Sequence, residues 1–143
     1  MSSLSFTNLR VFIDASVHDF YKKLTERSVE KAEDAPFIKM PDLFITAACI
    51  GAKENIYKEL GKQKKDIFVA DAFDTKTQIP ILITLAFKYT KDLDDLADAK
   101  KILNICEAWA NCGIKLIYEQ VMAGKGLRPF FRFTDFVLEE TKK

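Results

Sequence analysis

The chain has 143 residues, 48% of them hydrophobic and 30% charged, with 22 Lys and Arg against 21 Asp and Glu. That length fits one domain over residues 1–143, and the composition supplies enough apolar surface to offset ordering entropy, which excludes general disorder. A formal net charge of +1 excludes whole-molecule attraction to nucleic acid or to an anionic membrane and leaves that work to local patches.

At the N-terminus, MSSLSFTNLRVF lacks a charged segment followed by a sustained apolar run, so a cytoplasmic location is expected. Ser16 precedes VHDFYKKLTER, in which Val17, Phe20, Tyr21 and Leu24 recur at the spacing of one helical face. A first amphipathic helix is predicted there. The charged stretch SVEKAEDAPF, ending at Pro36, reads as a solvated loop or a frayed helix end. KMPDLFITAACIGAKENI then carries its own start signals: Pro41 suits the first helical turn and Asp42 complements the positive end of the dipole. This second helix is apolar on most sides, and Ala47, Ala48, Gly51 and Ala52 would let a neighbouring helix come close.

The following YKELGKQKKD gathers Lys58, Lys62, Lys64 and Lys65 around Gly61, which is expected to close the helix. These lysines read as a solvated turn, or as a phosphate-contacting patch. In DIFVADAFDT, Ile67, Val69 and Phe73 alternate, so a short strand is expected over residues 67–73. TQIPILITLAFKYTKD reads as a core helix with Pro80 in its first turn; its nine-residue apolar run is far shorter than the ~20 residues a membrane span needs. LDDLADAKKILNICEAWA opens with Asp94, Asp95 and Asp98 and continues with Lys100 and Lys101, a charge order that suits a helix start rather than a metal site. Leu96, Ala99, Leu103, Cys106 and Ala110 mark its buried face. Trp109, Asn111 and Gly113 are expected to end this helix, with Trp109 anchored in the core, Asn111 or Gly113 left-handed, and a new segment starting at Ile114. In the C-terminal AGKGLRPFFRFTDF, Lys125, Arg128 and Arg132 lie among phenylalanines, an arrangement that suits either stacking on unpaired bases or a tail packed on the core.

The chemistry the sequence offers is sparse. Cys49, Cys106 and Cys112 are an odd number without metal-ligand spacing and read as buried reduced thiols, and the lone histidine is His18. No phosphate-binding glycine loop is present. These features point away from an enzyme and from any metal or cofactor, leaving only a carboxylate-built site open through residues such as Glu54, Glu107 and Glu119.

Two stretches carry a resemblance. PFIKMPDLFITAACIGAKEN contains Phe37, Asp42, Ala47, Ala48, Gly51, Lys53 and Glu54, and CEAWANCGIKLIYE contains Glu107, Trp109, Ala110, Asn111 and Gly113. Together they resemble the small accessory proteins encoded beside DNA phosphorothioation (Dnd) modification systems. The chain departs from that pattern with Trp109 in place of the common tyrosine and Cys112 in place of a second glycine. The resemblance implies a role near bacterial DNA modification and anti-phage restriction as a partner of larger proteins, and no catalytic residue.

The expected fold is mainly α, a compact bundle of about five helices with one short β element at residues 67–73 or in the Phe-rich tail. The expected function is a non-catalytic accessory protein whose partner-contact residues are Glu107, Trp109, Asn111 and Asp42. The alternative is a small nucleic-acid-binding module using the 58–65 and 125–132 segments through Lys62, Lys64, Lys65, Lys125, Arg128 and Arg132, with weak binding expected.

Overall fold

The computed structural model describes residues 4–25 and 39–122. The loop expected before Pro36, Phe37 of the family pattern, and the basic-aromatic tail with Lys125, Arg128 and Arg132 lie outside those residues. Among the described residues the architecture is mainly α, with four α-helices and a two-stranded antiparallel sheet in the order β1(Arg10–Asp14), α1(His18–Thr25), α2(Met40–Lys53), β2(Lys64–Val69), α3(Gln78–Thr90) and α4(Ala99–Met122).

The centre is the crossing of α2 and α4. On α2, Leu43 and Phe44 are fully buried together with the small residues Ala47 and Ala48. Removing Leu43 and Phe44 from water contributes roughly 1.5–3 kcal/mol each before ordering costs. A Cβ on Gly51 would sit 2.0 Å from the carbonyl oxygen of Trp109, and one on Gly113 would sit 1.7 Å from that of Ala47. Each helix therefore places a glycine against the backbone of the other, as the run of small residues in α2 predicts.

That contact corrects the expectation of a helix end at Trp109 to Gly113. Helix α4 runs unbroken from Ala99 to Met122, a length of about 36 Å, with Asn111 and Gly113 in its interior. Gly113 is there for close approach, which removes Cβ for the same reason a left-handed cap does but leaves the helix intact. A mid-helix glycine costs about 1 kcal/mol in propensity relative to alanine, and the α2 contact offsets it.

Helix α2 ends at Lys53, eight residues short of the expected stop at Gly61. Asn55 takes the left-handed conformation at φ 58°, its N–H donates to Ala52 O, and the Ile56 N–H donates to Gly51 O at 2.9 Å. This is a Schellman closure with asparagine in the position glycine more often fills. The C-terminus of α3 is closed by Lys91, also left-handed at φ 55°.

The strand lies earlier than expected and has a partner. β2 begins at Lys64 and stops at Val69, so Phe73 lies beyond it, after a 3₁₀ turn at Ala70–Ala72. Its partner β1 is absent from the sequence expectation, although Val11 and Ile13 alternate as buried residues. The register slips between Val11 and Phe12: Val11 faces Phe68, whereas Phe12 faces Asp66. This is a bulge in β2 that leaves Ile67 without a partner. A 3₁₀ turn at Ala15–Val17 leads into α1, and its cap is Asp14 rather than Ser16, whose N–H the Asp14 carboxylate accepts.

The three aspartates do not share a helix start. Asp94 and Asp95 lie in a separate 3₁₀ segment, Leu93–Ala97, while Asp98 precedes α4 and accepts from the N–H groups of Lys100 and Lys101. Asp95 pairs with Lys101 at 2.6 Å. Of the three free thiols, Cys106 is buried and Cys49 and Cys112 are half-buried. No helix among the described residues is long and apolar enough to cross a membrane, and no group of His, Cys, Asp and Glu among them could hold a metal ion.

Candidate functional site

The middle of α4 is surrounded: α2, α3, α1 and β1 all pack on it. Every residue from Ile105 to Asn111 is consequently buried, polar ones included. Glu107 is 5% exposed and Asn111 4%. Burying a carboxylate and an amide in a helix is costly unless each finds partners, so their hydrogen bonds define what this region does.

The Glu107 carboxylate accepts from the Phe12 N–H at 2.8 Å. Phe12 stands at the register slip, so the strand irregularity and the buried acid answer each other. Lys100 and Lys64 lie close enough to favour the ionised acid, yet burial outweighs them and the Phe12 bond, pushing the carboxyl up to about 7. Tyr21 of α1 feels the Glu107 charge, and its hydroxyl is fully buried with no hydrogen-bond partner among the described residues. Burial raises its pKa, as it does that of the neighbouring Cys106 thiol. Glu107 also lines a cavity of about 210 Å³ with Tyr57, Glu59, Leu60, Lys64 and Asn104.

Asn111, one turn further on, holds the segment that crosses over α4. Its Nδ2 donates to Lys58 O at 3.2 Å, and the Lys58 N–H donates to Ala108 O at 3.3 Å. Its Oδ1 is buried without a partner among the described residues. Trp109, 2% exposed, donates from Nε1 to Leu85 O of α3 at 3.0 Å. The indole also supports a surface feature: Tyr57 and Tyr89 stack with ring centroids 3.8 Å apart, and both meet the Trp109 ring edge-on. Tyr89 is 49% exposed, and Ile56, Phe87 and Leu93 are also exposed.

The partner-contact candidates therefore divide. Glu107, Trp109 and Asn111 come together on α4 but face inward. Asp42 is elsewhere: it is exposed at the start of α2, accepts from Gln78 Nε2 at 2.8 Å, and lines a different cavity with Asp74 and Lys39. Sequence reasoning missed Tyr57 and Tyr89, which carry no periodic signal because one lies in an irregular segment and the other near a helix end.

The lysines also divide. Lys62, Lys64 and Lys65 are exposed, but Lys64 and Lys65 are successive strand residues and point to opposite sides. Lys65 lies near His18, where partial burial and the charges of Lys65 and Lys22 hold the imidazole below its ordinary pKa. Lys64 lies on the Glu107 side. Arg10, also on the sheet, is neutralised by Asp66 at 2.6 Å.

No curated protein and no solved structure matches the chain. A family model does match, over residues 10–130, which takes in both strands, all four helices and the Glu107 to Gly113 stretch. By that match the chain belongs to the DNA sulphur modification system-associated protein 4 family.

Proposed function

We propose that the protein is a non-catalytic accessory subunit of a DNA sulphur modification system, a single domain acting in the cytoplasm by docking on a larger protein of that system. Family membership supports the association with such a system. The observation that carries docking is the Tyr57–Tyr89 pair: a half-exposed aromatic ring already fixed by stacking at 3.8 Å and backed by the buried Trp109. Tyrosine is enriched among residues that dominate binding energy, and a side chain ordered before binding loses little entropy on contact. Exposed Ile56, Phe87 and Leu93 supply apolar area on the same segments. On this reading Trp109 and Asn111 serve the partner indirectly by fixing the platform and the segment that bears Tyr57.

The test is co-expression with each protein encoded in the neighbouring modification genes, followed by size-exclusion chromatography. A stable complex that Tyr89→Ala weakens at least tenfold, about 1.4 kcal/mol, is the expected result. Equal complex formation by the variant, or no complex with any of those proteins, overturns the reading.

A further inference from the structure

The Glu107 cavity has a composition that the accessory role does not explain. Among the described residues its wall holds two carboxylates, Glu59 and Glu107, an amide at Asn104, the ring of Tyr57, and a single cation, Lys64. Among the described residues Glu107 receives one hydrogen bond, from a neutral backbone N–H, although only 5% of the residue is exposed. Lys64 lines the same space and makes no ion pair with it among the described residues. A buried acid beside an open cavity and short of donors is completed by a cation with several donors. A guanidinium meets that need: its planar fork can serve two carboxylate oxygens at once and its face can lie on a tyrosine ring. An anion would meet two carboxylates against one lysine.

We infer that this cavity is a receptor for a guanidinium group, with Glu107 as the principal acceptor, Glu59 and Asn104 as secondary acceptors and Tyr57 as the stacking wall. Tyr57 belongs both to the cavity and to the Tyr57–Tyr89 platform. The inference therefore deepens the docking proposal, and it rests on that reading only for the source of the group, an arginine of the docked protein rather than free arginine. Occupancy favours ionised Glu107, so binding strengthens as pH rises from about 5.5 to 8. The other charged or titratable groups acting on Glu107 are Lys64 of β2, Lys100 and Cys106 of α4, and Tyr21 of α1.

The experiment is a titration of the full chain, followed through the ¹⁵N-amide resonance of Phe12, with methylguanidinium, its neutral counterpart methylurea, free arginine, and the peptide acetyl-Gly-Arg-Gly-amide. The expected result is a saturable shift with methylguanidinium and none with methylurea. Glu107→Gln, which keeps an acceptor for the Phe12 N–H, should lose the shift, and Lys64→Ala, which removes the repelling cation, should strengthen binding several-fold at pH 8, where the acid is ionised. Tighter binding of the peptide than of free arginine supports a protein-borne source, and the reverse order overturns that part while keeping the site. Equal responses to methylguanidinium and methylurea, or undiminished binding by Glu107→Gln, overturn the inference. So does a Lys64→Ala variant that binds no methylguanidinium at pH 8, because Lys64 is then the acid's own partner. None of these arms uses the system's other proteins, so failure of the docking proposal is read separately.

Discussion

Glu107 contributes a distinctive pH response to the fold. In the unfolded chain its carboxyl returns to about 4.5, whereas the fold holds it at about 7, so between those values the folded state carries an extra proton. Its contribution to stability is complete below pH 4.5 and is lost as pH rises through 7, by roughly 3 kcal/mol at full extent. His18 acts in the opposite sense, because its imidazole is held below 6.5 when folded. The readout is therefore the difference between Glu107→Gln and the parent chain in urea unfolding: near zero at pH 4.5, with the variant the more stable by roughly 2–3 kcal/mol at pH 8. Parallel curves at the two pH values would show that the acid is not held neutral. Tyr21 makes a second case. Its hydroxyl is buried without a partner among the described residues, so Tyr21→Phe should raise stability by about 1 kcal/mol where such a change commonly lowers it. A loss of 1 kcal/mol or more in the same unfolding assay would mean that the hydroxyl has a bonding role.

Among the elements, the α2–α4 crossing is decided by two glycines. Helix propensity alone makes Gly113→Ala stabilising by about 1 kcal/mol. The 1.7 Å approach to Ala47 O makes it destabilising instead, by about 3 kcal/mol or more, because backbone rather than a flexible side chain must give way. Thermal unfolding separates the two signs, and a higher midpoint in Gly113→Ala would refute the close crossing. The same residue shows why the sequence was only partly legible. Glycine after an apolar run serves equally as a helix stop or as a contact point, since both need the missing Cβ. Only the partner helix, more than 50 residues away, decides between them. Helices α2 and α3 were legible because near-continuous apolar runs with proline in the first turn have one reading. β1 was not: five residues give too short an alternation, and its partner lies on the far side of α2. The inward direction of Glu107 and Asn111 was also hidden, because a helix packed on several sides buries residues its own periodicity would leave in solvent.

At the scale of the molecule, the distribution of charge among the described residues lends little support to a nucleic-acid module. Lys64 and Lys65 occupy opposite sides of β2, Arg10 is paired with Asp66, and the aspartates at 92, 94, 95 and 98 follow the basic end of α3. These residues could meet few phosphates at once, so their binding to a DNA duplex should remain of the nonspecific kind, about 10⁻⁴ to 10⁻⁶ M at physiological salt. An apolar, aromatic contact with a protein has the opposite signature, since its affinity does not depend on counterion release. The most direct measurement is calorimetric titration of the chain against the proteins of the neighbouring modification genes and against a DNA duplex, each at about 50 and 200 mM salt. The account predicts a protein complex of micromolar affinity or tighter that changes less than about threefold with salt and is weakened at least tenfold by Tyr89→Ala. Nanomolar binding to DNA at physiological salt, abolished when Lys62, Lys64 and Lys65 are replaced by glutamate and untouched by Tyr89→Ala, would contradict it.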